Sequence, residues 1–103
     1  KHQAIQIHLA EMAVELEAAR RLVHWAAWRS DRKLPNDTEA SMAKLKASEV
    51  AVEVCDKAAR ILASYGFSAD YPIERYLRDA RFTLIGGGTS EILKIHIARS
   101  LEG

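Results

Sequence analysis

The 103-residue chain is poor in the residues that build disulfide-rich or loop-rich folds, with one cysteine, two prolines and five glycines. A single cysteine, Cys55, cannot form an internal disulfide, which excludes a small scaffold stapled by disulfides and indicates a reducing compartment such as a cytosol or an organelle matrix. No apolar run approaches the roughly 18 residues of a membrane-spanning helix, and the N-terminus has no apolar signal segment. We therefore expect a soluble chain.

The chain also lacks an excess of either charge, with 15 Lys and Arg against 14 Asp and Glu. The two signs are interleaved, so no basic stripe is available to neutralise a run of phosphates, and nucleic acid is not expected as a partner. Hydrophobic residues make up 49% of the chain, which suits one compact domain.

An apolar stripe at helical spacing predicts a first helix that runs from the start of the chain to about Arg29. Glu17 and Arg21 form a favourable i,i+4 pair on another face of it. Because the chain opens with Lys1 and enters the helical pattern without an N-cap, we expect it to be a piece of a longer protein. The stripe consists of Ile5, Leu9, Met12, Leu16, Ala19, Val23 and Ala26.

Pro35 and Asn36 indicate a connecting loop over residues 31–37, and Asn36 with Glu39 resembles a capping pair that opens a second long helix. Gly66 is a suitable stop for that helix. Small residues in it allow the close approach of a neighbour. These small residues are Ala47, Ser48 and Ala51, and the apolar positions include Met42, Leu45, Val52, Cys55, Ala59 and Leu62.

Two shorter helices complete the predicted fold. Asp70 caps a third helix with Pro72 in its first turn, three glycines at 86–88 break it, and a last helix runs from Thr89 to Leu101. No strand pattern competes, so the predicted fold class is all-α, an antiparallel helical bundle.

Histidines and acidic residues raise the possibility of a metal site, most of all His8 with Glu11 and Glu15 on one helical face. Carboxylate-bridged metal bundles use the order Glu-x-x-His on two helices, whereas the order here is reversed and has no counterpart on the second helix. His24 and His96 have no Cys or His partner at zinc-ligand spacing. We expect no metal.

Three other side chains have ordinary structural explanations. Cys55 lies in the apolar stripe of the second helix, where a buried, inert thiol is expected. Trp25 and Trp28 could stack a ligand, but rings at this spacing are more often core or interface residues.

The three glycines followed by Thr89, Ser90 and Glu91 are the strongest local signal. Glycines let the backbone approach a ligand, and the helix start that follows presents free N–H groups. A flexible turn between helices explains the same residues equally well.

Longer stretches of sequence resemble the C-terminal segment of acyl-CoA dehydrogenases, the flavoenzymes that desaturate acyl thioesters. They are YPIERYLRDAR at 71–81, GTSEI at 88–92 and Ala98-Arg99, with HQAI at 2–5, LAEM at 9–12, EAAR at 17–20 and AAW at 26–28 further upstream. The resemblance covers essentially the whole chain.

The resemblance implies a four-helix up-down bundle whose first helix lies upstream of Lys1, so that residues 1–103 form a partial C-terminal helical domain. It implies that flavin adenine dinucleotide (FAD) lies between domains and between subunits. Contacts to the cofactor of a neighbouring subunit are implied for His2 and Gln3 and for the run Arg60, Ile61, Leu62, Ala63 and Ser64; a turn and helix start along the cofactor are implied for Gly88, Thr89, Ser90 and Glu91. Arg60 stands where Gln is common in the family, and Ala63-Ser64 replaces a common Gly-Gly.

Gly87 occupies the position where many members of the family carry the glutamate that removes the substrate α-proton. In some branches of the family the base is instead a Glu on the first helix of the bundle, and the resemblance leaves two alternatives: a relocated base, or a relative without dehydrogenase activity. No catalytic residue is expected within this chain, which should be inactive alone. The Arg78 and Asp79 side chains are expected to be a buried or half-buried structural pair.

For the intact protein, the resemblance implies desaturation of an acyl-CoA substrate with electrons passed to an electron-transfer flavoprotein. It also implies a homo-oligomer, a tetramer in the family, in a bacterial cytoplasm or mitochondrial matrix. The alternative is a helical interaction module that no longer binds flavin. For the chain alone, the unfilled groove of an incomplete bundle predicts self-association, groove to groove, or a swing of the last helix into the vacant position.

Overall fold

A computed structural model of the chain describes residues 2–64, 78–79 and 90–102. Three α-helices have bounds within these residues, and no strand occurs among them. The all-α prediction is confirmed. The helices are α1 (His2–Asp31), α2 (Asp37–Ser64) and α3 (Ser90–Glu102).

The predicted boundaries agree closely with these helices. The first helix continues two residues beyond Arg29, and the connecting segment is 32–36. The predicted last helix is α3. The Gly66 stop, the glycine break at 86–88 and the predicted third helix lie outside the described residues, apart from Arg78 and Asp79, which are helical.

The helices α1 and α2 pack side by side in opposite directions. Two ion pairs define their register: Lys57 Nζ lies 3.7 Å from a Glu11 carboxylate oxygen, and Arg29 Nε lies 3.3 Å from a Glu39 carboxylate oxygen. The start of α1 therefore lies beside the end of α2, as in an antiparallel bundle.

The buried side chains of these two helices are small. The buried residues of the described chain are Ala19 and Ala26 on α1, with Ala43, Ser48 and Val50 on α2. Small residues let two helix backbones approach closely, because little side-chain volume separates them. Of the small residues predicted to allow a close approach, Ala47 and Ala51 border a cavity shared with Ala19 of α1, whereas Ser48 is buried about 140° around α2 from Ala43.

The larger residues of the predicted α1 stripe are not part of this core. Leu9, Leu16 and Val23 recur every seven residues and remain about half exposed. They lie on the flank of α1 next to the line of Ala19 and Ala26, since α2 covers only one side of a helix with 3.6 residues per turn. The tertiary structure therefore leaves this part of the predicted stripe exposed.

The turn between α1 and α2 is a Schellman motif at the C-terminus of α1. The Leu34 N–H donates to the Arg29 carbonyl at 2.9 Å, and the Lys33 N–H donates to the Ser30 carbonyl at 3.0 Å. Lys33 has φ of 56°, the left-handed conformation that this motif requires and that usually falls to glycine. A Cβ atom in this conformation is unfavourable.

The start of α2 differs in part from the predicted capping pair. Asn36 precedes the first residue of α2, and its carbonyl accepts the Ala40 N–H at 2.8 Å. Its side-chain amide donates to the Ala26 carbonyl at 3.4 Å, and the Glu39 carboxylate pairs with Arg29. Tertiary contacts with α1 have therefore replaced the reciprocal capping bonds that the local sequence predicts.

The third helix packs against α2. His96, Arg99 and Ser100 share a cleft of about 540 Å³ with residues of the first turn of α2, including Thr38. At about 1.5 Å per residue, α3 is roughly 20 Å long and α2 roughly 42 Å, so α3 covers the first half of α2 and not its end. None of the helices in the described ranges is long and apolar enough to cross a membrane.

The Schellman turn predicts a stabilising substitution. Replacing Lys33 with Gly removes the Cβ atom from a left-handed residue and should raise the free energy of unfolding by about 1 kcal/mol. Lys33→Ala is the matched control, because it removes the charge and the side chain but keeps Cβ, and it should give no such gain. Urea unfolding of the three chains measures the difference; a gain of the same size in Lys33→Ala would assign it to the side chain instead.

Candidate functional site

Two of the segments that resemble cofactor contacts lie at one end of the α1–α2 pair. His2 and Gln3 begin α1, and residues 60–64 end α2. The antiparallel register set by Glu11 and Lys57 brings these two helix ends together. Gln3 and Arg60 are exposed there, so an amide and a guanidinium face solvent at the same end of the helix pair.

The Arg60 guanidinium is held from within its own helix. Its Nη2 atom lies 3.1 Å from a carboxylate oxygen of Asp56, four residues earlier. Ile61 and Leu62 beside it are partly buried. The end of α2 thus combines an oriented cation with an apolar surface.

The third segment is at the start of α3, away from this end. Ser90 is the first residue of α3 and is partly buried, and Glu91 in the first turn is exposed. Gly87, Gly88 and Thr89 lie outside the described residues. Since α3 lies along the first half of α2, the described residues form two separate groups, with Gln3 and Arg60 in one and Ser90 and Glu91 in the other.

Two lysine–glutamate pairs between α1 and α2 maintain the geometry of these groups. Lys46 Nζ donates a hydrogen bond of 2.6 Å to a Glu15 carboxylate oxygen, and Lys57 pairs with Glu11. The hydrogen bond from Lys46 to Glu15 raises the pKa of Lys46 above its ordinary value of 10.5, although desolvation opposes the shift. The sequence predicted the Glu17–Arg21 pair within α1, which is present at 3.5 Å, but not these pairs across the helices.

Glu11 and Glu15, considered above for a metal site with His8, are engaged by these lysines. His8 Nδ1 lies 3.4 Å from a Glu11 carboxylate oxygen, and the described part of the chain contains no group of three His, Cys, Asp or Glu residues that could hold a metal ion. Glu11 and Glu15 therefore each join α1 to α2 through a lysine, and His8 lies beside Glu11 on α1.

Cys55 is partly buried on α2. Desolvation raises the pKa of its thiol above the ordinary value, so the protonated form dominates at neutral pH. This agrees with the predicted inert thiol.

Trp25 and Trp28 were predicted to be core or interface residues, and their exposure excludes the core of the described helices. The Arg32 guanidinium lies 5.1 Å from the centre of the Trp28 ring. Arg78 and Asp79 are both exposed, so the expected buried pair is wrong. Consecutive residues of a helix point about 100° apart and do not face each other, which explains the error.

Comparisons with known proteins assign the family. The family model described as "Acyl-CoA dehydrogenase, C-terminal domain" matches residues 1–102. The chain therefore belongs to the acyl-CoA dehydrogenase family and matches its C-terminal domain.

Individual relatives agree. Benzylmalonyl-CoA dehydrogenase of Aromatoleum aromaticum is 62% identical over 99% of this chain and 27% of its own length. The structure of butyryl-CoA dehydrogenase from Megasphaera elsdenii matches with a TM-score of 0.93 and 39% identity, over 100% of this chain and 27% of that one. A structure described as the electron transferring flavoprotein of Acidaminococcus fermentans matches with a TM-score of 0.90 and 44% identity, over 96% and 26%. The chain thus spans about a quarter of the length of the relatives that it matches.

The hydrogen bond between Lys46 and Glu15 predicts a pH-dependent contribution to stability. Lys46→Met should lower the free energy of unfolding by about 0.5 kcal/mol at neutral pH, because the pair is partly exposed. A raised pKa in the folded state means that this contribution is complete below pH 10.5 and is lost as the pH rises through the folded-state pKa. Lys44→Met on the same helix controls for the loss of one positive charge. Urea titrations at pH 7, 10 and 11.5 measure both; a Lys46→Met deficit that persists undiminished at pH 11.5 would contradict the assignment.

Proposed function

We propose that this chain is the C-terminal helical domain of an FAD-dependent acyl-CoA dehydrogenase, in which it supplies contacts to the flavin and between subunits. The observation that carries the proposal is the match of the family's C-terminal domain to residues 1–102. The whole reaction is the α,β-desaturation of an acyl-CoA thioester. Most of the enzyme that performs it lies in the three quarters of such proteins that this chain does not span.

The described residues fit a flavin dinucleotide in their chemistry. At the paired helix ends, the exposed amide of Gln3 and the exposed guanidinium of Arg60 can hydrogen-bond hydroxyl and phosphate oxygens. The Gln3 amide is a neutral group, whereas the Arg60 guanidinium is charged and is oriented by the Asp56 carboxylate. These groups would bind the dinucleotide of a neighbouring subunit.

At the second group, the start of α3 would lie along the cofactor of its own subunit. The first backbone N–H groups of a helix have no partner within it, and they favour a negatively charged ligand. The Glu91 carboxylate in this turn would repel a phosphate, so we assign the contact to the backbone and to the Ser90 hydroxyl. Gly88 and Thr89 complete the segment in sequence.

A cofactor that lies between subunits needs contacts from two copies of the domain. Each copy would then carry two separate groups of contact residues, as Gln3 with Arg60 and Ser90 with Glu91 are here. A cofactor held within one copy of the domain would need its contacts to converge, and in the described structure they diverge along the length of α2. One copy therefore contacts two cofactors, one at the Gln3 end and one at the Ser90 end.

When bound, the flavin supplies the redox chemistry by accepting a hydride from the substrate β-carbon. A carboxylate must remove the α-proton, so that the electron pair of the α C–H bond forms the new double bond. This chain contributes no base at Gly87, and we propose that the base is a glutamate upstream, since general-base catalysis requires only that a carboxylate reach the proton.

The partners of the intact protein follow from the same proposal. They are an acyl-CoA substrate, an electron-transfer flavoprotein that takes up the electrons, and further copies of the chain in a tetramer. We place the intact protein in a bacterial cytoplasm or a mitochondrial matrix, where these partners would be present.

A substitution at Gln3 tests the proposed flavin contact in the longer protein that contains this chain. Gln3→Leu should weaken flavin retention by about fivefold, because a hydrogen bond between neutral groups contributes about 1 kcal/mol. Gln6→Leu, three residues along the same exposed helix, is the matched control and should retain flavin as the unchanged protein does. Equilibrium dialysis followed by flavin absorbance measures both; equal retention in the two variants would remove Gln3 from the flavin site.

A substitution at Gly87 tests, in the longer protein, where the catalytic base lies. If the base lies upstream, Gly87→Ala should leave kcat/KM within about threefold, while replacing the glutamate of the preceding helix should abolish α-proton exchange. The candidate alternative, a relative that does not dehydrogenate acyl-CoA, rests on the same glycine. It would be favoured if the unchanged protein binds flavin but neither exchanges the α-proton nor reduces an electron acceptor with any acyl-CoA.

A further inference from the structure

An exposed arginine near the end of α2 is paired with an acidic residue one turn earlier. The Arg60 side chain is 76% exposed, and its Nη2 atom lies 3.1 Å from a carboxylate oxygen of Asp56, which is 34% exposed. An acid four residues before a base is the favourable order on a helix, because long side chains lean towards the helix N-terminus and reach back over the preceding turn. The short, partly buried aspartate is the fixed member of the pair, and the arginine is the member that it orients.

The neighbouring basic residue is engaged differently. Lys57 is 26% exposed, and its Nζ atom lies 3.7 Å from a Glu11 carboxylate oxygen on α1. Of these two ion pairs, the one between Lys57 and Glu11 crosses the helices, whereas the one between Asp56 and Arg60 lies within α2. The first therefore fixes the packing of the helices, and the second fixes the direction of one side chain.

The register of the helix pair sets the distance between Arg60 and Gln3. Lys57 is level with Glu11, and the two helices run in opposite directions. At about 1.5 Å per residue, Gln3 lies roughly 12 Å beyond Glu11, and Arg60 lies roughly 4–5 Å beyond Lys57 in the same direction. The two side chains therefore start roughly 8 Å apart along the helix axis, which suits an elongated ligand such as a dinucleotide.

We propose that Asp56 is a positioning residue for the flavin contact of this chain: its carboxylate holds the Arg60 guanidinium on the flank of α2, at a set distance from Gln3. The inference rests on the proposed function and gives a role to a residue that does not itself touch the cofactor. A long arginine side chain loses rotamer freedom when it binds a ligand. Asp56 imposes part of that loss before the flavin binds.

The charge of Asp56 taken alone predicts the opposite effect. The two phosphate groups of a flavin dinucleotide are negative, and a carboxylate near them repels them. If Asp56 contributed only its charge, its neutralisation would tighten flavin binding. If Asp56 orients Arg60, its neutralisation weakens flavin binding. The sign of the change in affinity therefore separates the two roles.

Titration of FAD into the flavin-free form of the longer protein, followed by flavin fluorescence, tests the proposal without a measurement of activity. Asp56→Asn should raise the dissociation constant about fivefold, the size expected when a long side chain must be ordered on binding. Glu53→Gln is the matched control, because it neutralises an exposed carboxylate on the preceding turn of α2, and it should leave the constant within about twofold or lower it. Asp56→Glu should keep most of the affinity, since it returns a carboxylate one turn from the arginine. An unchanged or lower dissociation constant in Asp56→Asn, or equal weakening in Asp56→Asn and Glu53→Gln, would overturn the proposal.

A double-mutant cycle separates positioning from a general effect on the helix. Arg60→Met keeps the aliphatic stem and removes the guanidinium, so it should weaken FAD binding by itself. In that background Asp56→Asn should add no further loss, because the group that it positions is gone. Stopped-flow mixing should assign the loss in Asp56→Asn to faster dissociation, since a change of charge alone acts mainly on the association rate.

The same variants distinguish a failure of this inference from a failure of the proposed function. Weakening by Arg60→Met without weakening by Asp56→Asn would overturn the positioning role and leave the flavin contact of Arg60 in place. An equal loss from Asp56→Asn with and without the guanidinium would assign Asp56 to the stability of the helix and also overturn the positioning role. Unchanged FAD binding in Arg60→Met would remove Arg60 from the flavin site and overturn both the inference and that proposed contact.

Discussion

The described structure depends on the close approach of α1 and α2 through small side chains. Ala19 and Ala26 of α1 are buried, as are Ala43 and Val50 on the side of α2 that carries Lys46 and Lys57, and Val50 is the most deeply buried of the described side chains. Dispersion contacts across such an interface are individually weak but numerous, and they require that no large side chain intervene. The charged pairs across the helices and the position of the helix ends depend on this packing.

One consequence is the register of the charged residues. Once the backbones are close, Glu15 and Lys46 come within 2.6 Å, and Arg29 reaches both Glu39 and the Pro35 carbonyl. These pairs are partly exposed, so each contributes little to stability. Together they prevent the two helices from sliding by a turn, which keeps Gln3 beside the end of α2.

The second consequence is the position of the candidate flavin contacts. Long antiparallel helices place their ends far apart, and the short α3 reaches only the first half of α2. A domain built in this way presents polar groups at two distant points and apolar residues along its length. Such a shape suits a part that joins larger domains and other copies, whereas an enclosed catalytic pocket needs convergent side chains.

The sequence by itself determined the three helices whose bounds are described, to within about two residues, and the resemblance that the family match confirmed. These properties are local: periodicity, caps and motif spacing act within a few turns of chain. Only the tertiary structure decided which apolar residues are buried. The heptad-spaced Leu9, Leu16 and Val23 carry the same pattern as Ala19 and Ala26, but the direction of α2 leaves them half exposed. It likewise decided that Glu39 pairs with Arg29 instead of closing a capping box, because a partner 10 residues earlier in the chain becomes a neighbour only once the helices pack.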